Sequence, residues 1–117
     1  MQILAYILIA VVAATHVYFL ILEMFLWDRP IGRKTFGLSV EDAATTKVLA
    51  ANQGLYNGFL AAGLIWGLIA DNFEVKIFFL ACVVVAGLYG GATANRRIWF
   101  IQGLPAAIAL VLVHLAH

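Results

Sequence analysis

The chain has 117 residues, 65% hydrophobic and 11% charged, with a mean hydropathy of +1.02 and a formal net charge of +1. Soluble domains are roughly half apolar and a quarter charged, so this composition excludes an ordinary soluble fold and describes one integral membrane domain, residues 1–117, whose first partner is the lipid bilayer. The near-neutral charge offers nothing for a polyanion to hold and excludes nucleic acid.

The first apolar run, 3–27, has no Lys or Arg ahead of it and exceeds the about 7 to 15 residues of a secretory hydrophobic region. It is expected to stay as a membrane helix. Residues 28–47 form the one sizeable hydrophilic stretch, where Pro30, Gly32 and Gly37 are expected to break regular structure before Ser39 caps a second helix, with Asp42 three residues on. That helix, about 40–70, begins in water and carries an apolar span from Val48 to Ala70. Asp71 and Asn72 mark a tight turn into a third helix at 75–94, and Asn95, Arg96 and Arg97 mark another into a fourth at 98–116. Each run approaches or exceeds the about 20 residues needed to cross about 30 Å of hydrocarbon. Short connections make successive helices antiparallel neighbours, so the expected fold is all-α, an integral membrane four-helix up-down bundle.

Arg29, Arg33, Lys34, Lys47, Arg96 and Arg97 fall in the first and third connections, which leaves Lys76 alone on the opposite side. The excess of basic residues on cytoplasmic loops then puts both termini outside, in a bacterial inner (cytoplasmic) membrane. Gly54 and Gly58, Gly63 and Gly67, and Gly87 and Gly91 are small-xxx-small pairs that let backbones approach. On a helix turning about 100° per residue, Gly54 and Gly58 lie on a different side from Gly63 and Gly67. The second helix is therefore expected to touch two neighbours. Cys82 is the single cysteine, so no intrachain disulfide forms, and it reads as a small buried hydrophobe.

Within this apolar frame stand His16 and Glu23, on one face of the first helix and about 10 Å apart along its axis. An ionised carboxylate at that depth is costly, so Glu23 is expected to face a bundle interior, meet hydrogen-bond donors or be protonated. Gln53, Tyr56 and Asn57 on the second helix, Tyr89 on the third and Gln102 on the fourth reach comparable depths. By depth, Asn57 suits His16, while Gln53, Tyr89 and Gln102 suit Glu23. Pro105 cannot donate to the carbonyl of Ile101, which leaves an acceptor beside Gln102. Together these residues form an expected ligand-binding layer near the cytosolic side. His16 and Glu23 lie too far apart to share a metal ion, so no metal site is expected. His16 and His114, on different levels, cannot be the axial pair of one haem, and no phosphate-binding loop, CxxC, HExxH or serine-elbow pattern occurs. The sequence therefore names no cofactor, and no enzyme with a familiar soluble-type site is expected. Tyr6, Trp66 and His114 toward one boundary, and Trp27 and Trp99 toward the other, read as interfacial anchors.

The strings LEMFLW, TKVLAANQGLYNGFLAAGLIWG, AGLYGG and QGLPA resemble the bacterial membrane-protein family catalogued as domain of unknown function 1304, across nearly the whole chain. The resemblance implies four membrane helices and no established activity. From the residues themselves, the leading expectation is a polar intramembrane pocket that binds a small amphiphilic ligand, with protonation of Glu23. Three other readings stand beside it: a proton-coupled small-molecule transporter built as a homodimer, a non-catalytic partner or assembly subunit whose polar layer is structural, and a membrane enzyme acting on a lipid or quinone.

Overall fold

The structure, a computed structural model, describes all 117 residues, Met1 to His117. It is all helical: α1 (Gln2–Met24), α2 (Pro30–Phe36), α3 (Val40–Ile69), α4 (Phe73–Thr93) and α5 (Leu104–Ala116), the last preceded without a break by a π-helical turn, Trp99–Gly103. Three helices are long and apolar enough to cross a membrane: Gln2–Met24, Phe73–Thr93 and Trp99–Ala116. The segment expected to supply a fourth span is helical, as α3, but is not among these three. Asn52, Gln53, Tyr56 and Asn57, the residues that mark it as chemically interesting, are also those that dilute its apolar character.

The connection 28–47, expected to be irregular, contains α2, and its supposed breakers are the residues that build it. Pro30 occupies the first turn, where its missing N–H costs no hydrogen bond. Gly37 closes the helix at φ 67, donating its N–H to the Arg33 carbonyl in a left-handed cap that glycine adopts freely. Gly32 is required for another reason, because a Cβ there would collide with the carbonyl oxygen of Leu26. The caps of the longer helices follow the sequence: the Asp42 N–H donates to Ser39 Oγ at 3.0 Å, and the Val75 N–H donates to Asn72 Oδ1 at 3.0 Å. Asp71 takes a left-handed conformation, φ 47, in the turn between α3 and α4.

The chain divides into two compact units, one of residues 1–15 and 60–117 and the other of residues 16–59. In the first, Ile9, Leu64, Leu80 and Val83 are fully buried, joined by Ala106 and Ala109. Glycines bring the helices of this unit close: Gly63 faces the Phe79 ring, Gly67 the backbone of Lys76, and Gly87 the backbone of Gly103. The π turn stands directly before Pro105, which falls in the first turn of α5. In a π turn the N–H groups reach five residues back, as Leu104 does to the Trp99 carbonyl, and the widened ladder takes in a residue that cannot make the ordinary four-residue bond. Cys82 is half-buried, not buried, and borders a shallow apolar cleft with Phe78 and Val85.

In the second unit, Leu22, Ala43 and Ala50 are buried, and the Trp27 ring lies 4.8 Å from that of Phe36, holding α2. The α1 helix ends at Met24 rather than Trp27. Trp27 Nε1 then donates to Thr46 Oγ1 at 3.0 Å, and Lys47 pairs with Asp28 at 3.0 Å. The Lys47 ammonium holds the Asp28 carboxyl below its ordinary value.

Candidate functional site

The unit of residues 16–59 contains both polar groups expected on α1. His16 is 1% exposed and Glu23 is 4% exposed, so both point into protein. The carboxylate of Glu23 is met by an amide: Asn57 Nδ2 donates to Glu23 Oε1 at 2.5 Å. This pairing differs from the expected one, in which Asn57 matched His16 by depth.

Two glycines make the pairing geometrically available. A Cβ at Gly54 would lie 3.1 Å from Glu23 Cβ and 3.2 Å from the Leu20 carbonyl oxygen, and one at Gly58 would lie 2.7 Å from Leu20 Cδ1. The two helices therefore meet along the line of Gly54 and Gly58, as the small-xxx-small spacing predicts, and Asn57 sits beside that line. Measured from the middle of that line at about 100° per residue, Asn57 lies roughly 80° away, Gln53 roughly 120° and Tyr56 roughly 180°. Gln53 is accordingly exposed and Tyr56 is 63% exposed. Neither joins the Glu23 pair. Asn52 is exposed too and folds its amide back onto the Val48 carbonyl of its own helix, at 2.9 Å. Gly54 is the residue missed as part of the site, although its place on the contact line was readable from the glycine spacing.

The chain matches the family described as "Protein of unknown function (DUF1304)" over residues 10–114. It belongs to that family. It is also similar to the uncharacterized protein YpaA of Lactococcus lactis subsp. lactis (strain IL1403), with 32% identity over 115 residues, covering 95% of this chain and 97% of that protein. No solved structure matches it. The stretch matched to the DUF1304 family includes every residue of the expected layer, from His16 to Gln102.

The remaining two expected residues of this DUF1304 chain belong to the other unit. Tyr89 is 72% exposed along α4, at the end of the cleft that Cys82 borders. Gln102 is half-buried within the π turn. That unit also holds a polar cluster that interfacial anchoring did not foresee. Lys76, read as the one basic residue of its side, is only 7% exposed, and its Nζ donates to Asp71 Oδ1 at 2.8 Å. The Tyr6 hydroxyl donates to the same oxygen at 2.7 Å and accepts from Gln2 Nε2 at 2.7 Å. The Lys76 ammonium and then the Tyr6 hydroxyl hold the Asp71 carboxyl below its ordinary value. A sequence signal was present: Asp71 and Lys76 are five residues apart across a helix start, close enough for a side chain to bridge the turn.

Proposed function

We propose that the protein is a four-helix, up-down bundle of a bacterial inner membrane, with both termini outside, that binds a small amphiphilic ligand at Glu23 with proton exchange. The observation that carries this reading is the buried Glu23 carboxyl, whose hydrogen bond to Asn57 leaves its second oxygen available to a ligand or a proton. In this reading α3 is the fourth spanning helix. At 1.5 Å per residue its 30 residues extend about 45 Å, enough to cross with a turn or two standing in water. The orientation rests on Arg29, Arg33, Lys34, Lys47, Arg96 and Arg97 sharing one side. Asn57 orients the ligand. The test is proton uptake or release by the detergent-solubilised protein on titration with octylamine, repeated across pH. The expected result is a proton change on binding that Glu23→Gln abolishes; the same change in that variant sinks the reading.

A second reading, a homodimer or a partner subunit, draws on a different observation. Gln53 and Tyr56 are exposed on α3, and polar groups facing lipid are disfavoured unless another chain covers them. With Cys82 replaced by Ser, a Gln53→Cys variant should form a disulfide between copies in native membranes if that cover is a second copy. Gln53→Cys chains that stay monomeric under oxidation exclude the homodimer at this face.

A further inference from the structure

The Lys76 cluster borders a cavity of about 300 Å³ in the unit of residues 1–15 and 60–117. That volume lies at the lower end of small-molecule sites. Its walls come from the first turns of α1, the start of α4 and the last turn of α5, so all three apolar spans have an end here. With these helices spanning a bilayer as proposed above, the cavity opens where hydrocarbon gives way to headgroups and water.

The hydrogen bonds of the cluster are unequally spent. An ammonium has three N–H donors. Lys76, more than nine-tenths buried, gives one of them to Asp71 Oδ1 and lies with its Nζ 5.0 Å from the centre of the Tyr6 ring. Two donors are left over. On the acceptor side, Asp71 Oδ1 takes both Tyr6 and Lys76, while Asp71 Oδ2 and the Glu74 carboxylate accept no side-chain donor; both residues line the same cavity. Unspent donors on a buried cation therefore stand beside unspent acceptors on two carboxylates. Of the Lys, Asp and Glu side chains in its wall, one ammonium stands against two carboxylates, with the His117 ring beside them, so a free anion meets an excess of carboxylates. A ligand carrying both signs satisfies both sets of groups.

We infer that this cavity binds a zwitterion in which a primary ammonium stands a few bonds from a phosphate. The phosphate oxygens accept from Lys76, and the ammonium donates to Glu74 and Asp71 Oδ2. The requirement for N–H donors sets the selectivity, because a trimethylated nitrogen carries the same charge but cannot donate to either carboxylate. Val113 and Ala5 line the same cavity and offer the methylenes of the ligand an apolar wall. The same chemistry occurs free in solution as phosphoethanolamine and at the bilayer surface as the head of phosphatidylethanolamine.

The test is native mass spectrometry of the whole protein in nanodiscs of phosphatidylethanolamine, phosphatidylcholine or phosphatidylglycerol, with parallel titrations of phosphoethanolamine and phosphocholine in detergent. Retention of phosphatidylethanolamine over both other lipids is expected. Loss of one hydrogen bond between charged groups, in Glu74→Gln or Lys76→Gln, should weaken it by about tenfold or more. Glu74 is exposed and bonded to nothing, so its variant reports on binding without disturbing the fold. Binding of free phosphoethanolamine as well as the lipid identifies the headgroup as sufficient, whereas binding of the lipid alone places the ligand's source in the bilayer; both support the inference. Equal retention of the three lipids with neither soluble compound bound, or Glu74→Gln binding like the parent, overturns it.

Discussion

The contact line through Gly54 and Gly58 gives a prediction whose sign differs between two neighbouring positions. At Gly54 an added methyl meets Met24 Cγ at 2.6 Å, which a flexible side chain can yield, but also Glu23 Cβ at 3.1 Å and the Leu20 carbonyl oxygen at 3.2 Å, which can give way only if the helices part. At Gly58 the close neighbour is Leu20 Cδ1 at 2.7 Å, the tip of a side chain that can rotate. Alanine gains about 1 kcal/mol over glycine inside a helix, and overpacking a rigid contact costs about 1–3 kcal/mol. Gly54→Ala should therefore be destabilised by roughly 0–2 kcal/mol. Gly58→Ala should be neutral, or stabilised by up to about 1 kcal/mol. Reversible unfolding in mixed micelles, followed by circular dichroism, measures the difference. Because Gly54 abuts Glu23, its substitution should also lower the energetic coupling between Glu23 and Asn57, while Gly58→Ala leaves it intact. Equal destabilisation by the two alanines would refute the assignment of this line as the close approach of α1 and α3.

Asn57→Ala should cost about 1–3 kcal/mol by leaving a buried carboxyl without its donor, and a double-mutant cycle with Glu23→Gln should return a positive coupling of about 0.6 kcal/mol or more. Gly87→Ala should be the least tolerated glycine change in the other unit, since its Cβ would lie 2.6 Å from Gly103 Cα and 2.7 Å from Gly103 N. Gly103→Ala meets nothing closer than 3.7 Å and should fold normally; thermal unfolding of the two variants decides the point. Asp71 has its carboxyl held low in the folded state by Lys76 and Tyr6, so its stabilising contribution is complete above the unfolded value of about 3.9 and disappears as pH falls through the lower folded value. A melting-temperature profile below about pH 4 should thus fall more steeply for the parent protein than for Asp71→Asn.

The apolar spans, the Ser39 and Asn72 caps and the glycine faces were legible because each rests on a local rule: length and composition, a side chain that satisfies an orphan N–H, a spacing of four. What escaped prediction depended on context. Pro30, Gly32 and Gly37 signal breaks when read singly, yet a proline suits the first turn of a helix and a glycine its last, so the same three letters specify α2. The π turn at Trp99–Gly103 likewise depends on how the chain approaches Pro105, which the residue types do not state. The polar layer was judged by depth when the angle about α3 was the deciding quantity. Depth gathered seven residues, whereas the glycine line selects Asn57 and turns Gln53 and Tyr56 away.

That selection bears on what the buried carboxyl can do. Of the amides and phenols on α3, one alone reaches Glu23, and it supplies an N–H to a single carboxyl oxygen. A layer of several donors would satisfy the acid fully and leave it inert, fixing helix neighbours and nothing more. One donor leaves an acceptor unspent in an apolar setting, where an unsatisfied group is expensive. The same imbalance recurs at the α3–α4 turn, where Lys76 retains donors and Asp71 and Glu74 retain acceptors. In both proposed sites it is the unmet valence of a charged group, more than the number of polar residues nearby, that speaks for binding.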